Sequence, residues 1–524
     1  MAESLAPTTP GASASAVSPE ELHRRKVEWW NEGGREIPLP SNVSWAETIR
    51  ARGQGPVASS VLRKPTRTLS GIAVVAVMTS PAACPHGRCT YCPGGPANGS
   101  PQSYTGEEPS ALRGAQFHFD ARAITEHRLG VLERIGHPTS KVEVIVMGGT
   151  FPSRPLEYQT RTFQGVFEGL NGGASPSLAE AQRQNERAAH RCVGLTVETR
   201  PDWCDGRILP YLLDAGVTRI EIGVECLDET VLLATGRAHG VGQVRVATRE
   251  ARDRGLKVTY HVMLGLPGMD PAKDLRDFRE LFANPVYRPD MLKIYPTLVL
   301  PGTSLYRDWE SGRYAPYDIA TAAALLADEK EGLPPWVRIQ RIQRDIPARL
   351  IAAGVRAGNL REMALAELAR RGKRCRCLRC REPGRRGPAG ATRLREVEHR
   401  YSASAGEEVF LSFEDPDTDT VAGFLRLRFP SALTVGGLRD PVVRELKVLG
   451  REVPVGELSS PRESYQHQGL GRRLVHRAER AARDAGFRRL YVLSAVGTRE
   501  YYRRLGFVAS GPHMAKELYS PCNR

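Results

Sequence analysis

From residue 71 onward, short runs of consecutive apolar residues alternate with longer stretches in which apolar residues recur every three or four positions. Six runs have strand length: 72–78, 142–147, 193–197, 219–224, 257–264 and 291–295. Polar residues or glycines follow each run, and helical periodicity fills the gaps, as over 120–135, 156–169, 206–215 and 242–254. Apolar strands separated by amphipathic helices predict a parallel sheet buried on both faces. Six units are fewer than the eight of a closed barrel. The expected fold is therefore α/β, a partial (βα)6 barrel over 71–345, with a doubly wound sheet as the alternative. Ligands in such folds lie beyond the C-terminal strand ends, where the polar and glycine residues gather here.

The pattern differs outside this block. Residues 1–19 are rich in Ala, Ser, Pro and Thr and read as a disordered tail. Residues 20–70 read as a basic prelude with helical stretches at 19–31 and 44–52, placed to contact RNA or to pack on the next domain. Residues 346–395 form a basic linker. Residues 396–524 form a separate α/β unit, with strands at 408–413, 421–428, 442–449 and 490–493 and helices at 473–485 and 500–505. No apolar run is long enough to cross a bilayer, and the N-terminus lacks the features of a secretory leader, so a cytoplasmic protein is expected.

Composition sharpens this. Ten cysteines in 524 residues are too sparse for a disulfide scaffold, and six of them fall in two tight clusters. That distribution favours metal binding in a reducing compartment. The net charge of +15 suits a polyanionic partner such as nucleic acid, although an arginine-rich composition with solvated faces would give the same count.

The first cluster, Cys84, Cys89 and Cys92, has C-x4-C-x2-C spacing and follows the first strand. Three thiolates on a four-iron cluster leave one iron free of protein ligands. That iron can hold the amino and carboxylate groups of S-adenosylmethionine and pass an electron to its sulfonium, breaking a C–S bond to give a 5′-deoxyadenosyl radical. The motif resembles the radical S-adenosylmethionine superfamily, whose usual spacing is one residue shorter; by itself it also admits a zinc knuckle. Gly148 and Gly149 would sit beside the cluster. Glu198 and Arg200 would hold ribose hydroxyls or the cofactor carboxylate.

The second cluster, Cys375, Cys377 and Cys380, lies in a segment, 370–386, with nine basic residues and one acid. Three adjacent thiolates call for a cation, and zinc is the usual one. His86, His399 and His467 are open candidates for a fourth ligand, and a second iron–sulfur cluster is the alternative. The surrounding arginines suit phosphate contacts.

In the last unit, Gln466, Gln468, Gly469, Gly471 and Arg472 stand between a strand and a long helix. Glycines at a helix N-terminus let backbone amides approach a pyrophosphate, with Arg472 or Arg473 adding charge. Together with Tyr501 and Tyr502 this resembles the GNAT acetyltransferase fold, which binds acetyl-coenzyme A. Either tyrosine would protonate the departing thiolate.

The pairing of these two halves resembles the catalytic subunit of the Elongator complex and its stand-alone bacterial and archaeal relatives, from about residue 71 to 516. The resemblance is carried by strings such as Tyr91-Cys92-Pro93-Gly94-Gly95-Pro96, Met147-Gly148-Gly149-Thr150-Phe151, Glu198-Thr199-Arg200-Pro201-Asp202, Leu292-Lys293-Ile294-Tyr295-Pro296-Thr297 and Tyr465-Gln466-His467-Gln468-Gly469. It implies a tRNA-modifying enzyme that builds a 5-carboxymethyl group on the wobble uridine of the anticodon loop. The implied cofactors are a [4Fe-4S] cluster, S-adenosylmethionine, acetyl-coenzyme A and zinc, with an external electron donor. The radical would take hydrogen from the acetyl methyl, and the carbon radical would add to C5. Lys293 and Tyr295 become candidate catalytic or gating residues. Glu225 stands where the family commonly has Gln, and His513 where Tyr is common. A protein lysine acetyltransferase with a structural iron–sulfur domain is the competing reading, and a non-catalytic tRNA-binding scaffold is a third. In the first reading, Cys89→Ser abolishes deoxyadenosine formation under reducing anaerobic conditions while tRNA binding persists; loss of both together would make the cluster structural.

Overall fold

The computed structural model describes residues 65–386, 393–457 and 464–518, with the single positions 24, 27 and 31. The expected tail, nearly all of the prelude and part of the stretch 384–390 that reads as a flexible boundary lie outside the described residues.

Seven strands form one parallel sheet in chain order: β1 (Ala73–Met78), β2 (Lys141–Met147), β3 (Arg191–Thr199), β4 (Arg219–Glu225), β5 (Lys257–Leu264), β6 (Met291–Pro296) and β7 (Arg338–Ile342). The two edge strands do not pair with each other, so the sheet is a half barrel. In β2, Val142, Val144 and Val146 are wholly buried in the apolar core, while Lys141, Glu143 and Ile145 turn the other way and are half-buried. The period of two therefore sorts apolar residues to the helical layer and charged residues to the lumen. The helices fall close to their expected places. The one over Ala121–Arg134 starts where the Asp120 carboxylate accepts from the Ala123 amide at 2.7 Å.

The seventh strand, β7, is absent from the hydrophobic pattern. Its sequence, Arg338-Ile339-Gln340-Arg341-Ile342, carries two arginines in five residues. Tertiary contacts supply what the pattern lacks: Arg338 pairs with the buried Glu382, and Arg341 with Asp345.

A second sheet contains β8 (Arg395–Ala403), β9 (Gly406–Asp415), β10 (Thr420–Phe429), β11 (Val442–Val448), β12 (Arg489–Val492), β13 (Val508–Ser510) and β14 (His513–Glu517), in the order β13-β14-β12-β11-β10-β9-β8. All neighbours are antiparallel except β11 and β12. Strands β8, β13 and β14 are further additions to the expected set; β8 alternates charged residues along an edge and shows no apolar run.

The two sheets are not loosely linked. Leu493 and Val496 of the second unit belong to the apolar core of the first. Asp290, just before β6, takes Arg444 Nη1 at 2.8 Å and Nη2 at 2.7 Å on its two oxygens, with Arg252 at 3.4 Å and Arg426 at 3.7 Å. Arg444 also reaches Glu408 at 2.7 Å, and Arg428 bridges Asp253 and Glu408. These groups are at most 1% exposed. Arg444 and Arg252 hold the Asp290 carboxyl far below the usual range against the opposing effect of burial. Its folded pKa lies below its unfolded value near 4, so its stabilisation is present above pH ~4 and is lost as pH falls toward the folded pKa. Replacing Asp290 by Ala strands buried arginines and should cost about 3–5 kcal/mol, measured by denaturant unfolding at neutral pH, with the difference from wild type shrinking in acid.

Candidate functional site

Two cavities lie at opposite ends of the half barrel. The larger, about 630 Å³, opens beyond the C-terminal strand ends and is lined by Cys84, Cys89, Cys92, Gly149, Glu198, Arg200, His261 and Tyr295, among others. The smaller, about 350 Å³, lies at the N-terminal strand ends, where Lys141, Glu143, Arg219 and Lys257 face β11 and residues Gly469, Gly471, Arg472, Tyr501 and Tyr502 of the second unit. The seven residues of β4 separate them by about 20 Å.

At the upper cavity each thiol has a polar neighbour. Gln102 Nε2 donates to Cys92 Sγ at 3.2 Å, Arg237 Nη1 reaches Cys89 Sγ at 4.0 Å, and Thr150 Oγ1 lies 3.6 Å from Cys84 Sγ. Burial raises the Cys84 and Cys89 pKa values, so ionisation at neutral pH calls for added positive charge. The sulfurs of Cys375, Cys377 and Cys380 all lie within 4.8 Å of one another, and those of Cys84, Cys89 and Cys92 do not. A single zinc ion, with Zn–S near 2.3 Å, requires the tighter arrangement. The wider spacing fits a multi-iron cluster and goes against the zinc knuckle. His86 Nδ1 and Tyr91 Oη are buried without partners among the described residues; both residues line this cavity and suit a polar ligand.

The candidate cofactor residues divide. Gly149 lines the cavity at φ +74°, and a Cβ there would stand 3.6 Å from Cys84 Sγ and 3.1 Å from the Gln102 carbonyl. Gly148 is not among the lining residues; its amide donates to Glu198 Oε2 at 3.3 Å, and a Cβ would overlap Thr79. Glu198 also accepts from Tyr104 at 2.7 Å. Arg200 borders the cavity with most of its donors engaged, by both Asp202 oxygens and the Arg237 carbonyl. Lys293 sits below the cavity lining, paired with Glu221 and 3.8 Å from Glu198. His261 reaches the same Glu221 oxygen at 3.1 Å. With Arg219, which pairs with Glu143 and lies 3.4 Å from Glu221, these groups form an ion chain along the lumen from one cavity to the other.

The lower cavity owes its shape to β11 and β12, which pair only at Val442–Tyr491 and Val443–Val492 and then diverge. A bulge at Arg444 turns β11, and residues 444–448 border the opening. Gly469 caps helix Leu470–Asp484 at φ +79°, and a Cβ on Gly471 would meet the Tyr501 hydroxyl at 2.7 Å. Arg472 lines the cavity, whereas Arg473 lies over the Phe413 ring at 4.3 Å. Gln466 is spent on the seam: its amide nitrogen donates to the Gly71 and Val448 carbonyls, and its oxygen accepts from Lys141 Nζ and the Val453 amide. Gln468 donates to the Ser464 carbonyl at 2.6 Å and does not line the cavity. Tyr501 is 39% exposed, with its pKa pushed up to about 12 by burial; Tyr502 is 5% exposed and packs edge-on against Phe507. Lys257 and Lys447, absent from the sequence-derived candidates, face this cavity, and among the described residues their ammonium groups form no ion pair or hydrogen bond. Burial brings Lys257 down to about 8.

None of His86, His399 and His467 joins the Cys375, Cys377 and Cys380 group. His86 lies 3.3 Å from Cys89, His467 3.1 Å from Lys141, and His399 against Trp336. Lys330, fully buried, places Nζ 3.8 Å from Cys380 Sγ. The basic segment is partly neutralised: Arg370 and Arg371 pair with Glu367, and Lys373 with Glu331.

Comparison with known proteins agrees with this layout. The chain matches the Radical SAM superfamily over residues 78–282, the Radical_SAM C-terminal domain over 289–370 and the Acetyltransferase (GNAT) family over 378–507. It is 44% identical over 472 residues to a tRNA uridine(34) acetyltransferase of Methanocaldococcus jannaschii, covering 87% of this chain and 86% of that protein. Elongator complex protein 3 of Homo sapiens is 45% identical over 472 residues, with the same coverage. The solved structure of Methanocaldococcus infernus Elp3 lacking residues 1–46 superposes with a TM-score of 0.76 at 41% identity, covering 86% of this chain and 100% of that one. Among the described residues no helix is long and apolar enough to cross a membrane. A radical SAM domain implies an iron–sulfur cluster with S-adenosylmethionine, and a GNAT domain implies acetyl-coenzyme A. The chain belongs to the Elongator complex protein 3 family, in which a radical SAM half barrel and a GNAT sheet are built into one polypeptide.

Proposed function

We propose that this protein modifies tRNA at the wobble uridine, building a carboxymethyl group on C5 with acetyl-coenzyme A as the carbon source. The reading rests on one observation above the others: two cavities of different chemistry, one thiol-lined and one at a glycine-capped helix, are fixed to opposite ends of a single sheet. Relatives named for uridine(34) supply the substrate. Residues 71–345 take the radical step, 396–524 handle the thioester, and 346–395, with a structural zinc on Cys375, Cys377 and Cys380, ties the two together.

Cys84, Cys89 and Cys92 would hold the cluster, with Gly149 allowing close approach and Glu198 at hand for ribose hydroxyls. When bound and reduced by an external donor, S-adenosylmethionine supplies a carbon radical able to take hydrogen from an unactivated methyl group. The protein positions the reacting groups: Gln102, Thr150 and Arg237 steady the thiolates, and Tyr104 orients Glu198 through its 2.7 Å bond. In the lower cavity, Gly469, Gly471 and Arg472 receive the pyrophosphate. Tyr501, over Gly471, is better placed than the packed Tyr502 to protonate the departing thiolate. The lumen, walled by Glu143, Arg219, Glu221 and Lys293, is the direct path between the two ends. The lysine acetyltransferase reading is less well supported, because the barrel floor faces the diverging strands where an acceptor peptide would lie.

An anaerobic reaction of reconstituted protein with tRNA, S-adenosylmethionine, acetyl-coenzyme A and a reductant should yield carboxymethyluridine by nucleoside mass spectrometry, dependent on Cys89. Acetyl-lysine without the new nucleoside would replace this reading with the acetyltransferase one. Gly469→Glu should weaken coenzyme A binding by about 100-fold in calorimetry, since a carboxylate would occupy the place of the pyrophosphate; unchanged affinity would move the site elsewhere.

A further inference from the structure

Among the described residues most charged groups of the upper cavity are paired; Arg344, which donates to the Ser103 carbonyl, and a set of three further arginines form no ion pair. Arg67, Arg113 and Arg128 line the side of this cavity next to Val74 and Ala76 of the edge strand β1. Arg67 ends the short helical turn Pro65–Arg67, Arg113 lies on helix Pro109–Gln116 and Arg128 on helix Ala121–Arg134. None of the three forms an ion pair among the described residues. Arg113 Nη2 reaches the Ala76 carbonyl at 3.5 Å, which ties its guanidinium to β1, while its Nε is buried without a partner among the described residues.

The four carboxylates of the cavity are committed elsewhere. Glu108 accepts from the amides of Thr105 and Gly106, Glu198 from Tyr104 and Gly148, Glu225 pairs with Arg237, and Asp345 with Arg341. The three arginines therefore share one side of the cavity with no carboxylate of its lining committed to them. Burial and the charges of Arg67 and Arg113 bring Arg128 down to about 10, and burial and Arg67 lower Arg113. Clustering cations without counter-charge is costly in a half-buried site, and an anion with several acceptor oxygens removes that cost. Guanidinium groups fit phosphate oxygens in this way. The other phosphate-bearing substrate, acetyl-coenzyme A, is assigned to the cavity at the far end of the sheet.

The geometry points to Arg67, Arg113 and Arg128 as a phosphate clamp that holds the RNA backbone beside the uridine while the base turns toward the thiol-lined end of the same cavity. The strand then enters over the open β1 edge of the half barrel, where Val74 is 39% exposed. This rests on the proposed RNA substrate. It also assigns the contact to residues outside the basic segment 370–386.

The test is anisotropy titration of an anticodon stem-loop RNA against salt, using full-length wild type, Arg67→Gln and Arg113→Gln/Arg128→Gln. Each lost phosphate contact should lower the slope of log K against log salt by about 0.7, so the double variant should lose about 1.4 and bind roughly ten-fold more weakly. Arg67 is exposed, so its single substitution leaves helix packing intact and should lose one such increment. Replacing single linkages beside the uridine by neutral methylphosphonate should weaken wild type at one or two positions and leave the double variant unaffected there. Slopes shared by all three proteins, or equal sensitivity of wild type and variant to every neutral linkage, overturn the clamp alone. Wild type that binds no RNA overturns the substrate reading and the clamp with it.

Discussion

Asp290 is a carboxylate without solvent exposure, and two nitrogens of Arg444 from the other sheet meet its two oxygens. A buried ion pair of this kind gains less from attraction than it would lose if one partner were left alone. Its main effect is therefore on placement. With Asp290 at the start of β6 and Arg444 at the bulge of β11, the GNAT sheet can dock against the floor of the half barrel in one register. Arg444 also donates to the Leu256 carbonyl at 3.0 Å, which sets Lys257 beside the diverging strands. Gln466 and Lys141 lock the other side of the same seam.

That docking shapes the lower cavity. The lower cavity lies between the two units, since its wall combines residues of β2 to β5 with residues of β11 and helix Leu470–Asp484. A free GNAT domain presents its diverging strands to an external acceptor; here they face the barrel lumen. The lumen itself departs from the packed apolar interior expected of barrels. It carries Glu143, Arg219, Glu221, Lys293 and Glu198 in contact one after another. Among the described residues, Thr196 Oγ1, Glu221 Oε1 and Thr259 Oγ1 find no hydrogen-bond partners along it. Such groups call for water or a polar ligand between the two ends.

The two cysteine clusters show how local spacing and tertiary packing divide the work. Spacing alone leaves both open to zinc or iron. In the fold, one trio converges to within 4.8 Å and the other does not, because Cys375, Cys377 and Cys380 lie on one tight turn while Cys84 to Cys92 follow a loop around the cavity. The radical SAM match implies an iron–sulfur cluster, and the wider trio is the site proposed for it.

Strand positions, helix starts and the two cysteine motifs follow from near-neighbour chemistry: alternation, β-branching, a capping Asp120 and closely spaced thiols act over a few residues and are legible in the chain. So are Gly149 and Gly469, whose need for positive φ belongs to their own turns. The fates of the charged residues are not legible. Gln466 stands in the glycine-rich stretch proposed for the pyrophosphate yet its side chain is consumed by the seam, Arg473 stacks on Phe413 while Arg472 remains in the cavity, and β7 is a strand because Glu382 and Asp345 neutralise its arginines. Arg67, Arg113 and Arg128, scattered over 62 positions of the chain, become one cationic site only when three elements pack around β1. Long-range electrostatics depends on which elements meet, and only the tertiary structure decided that.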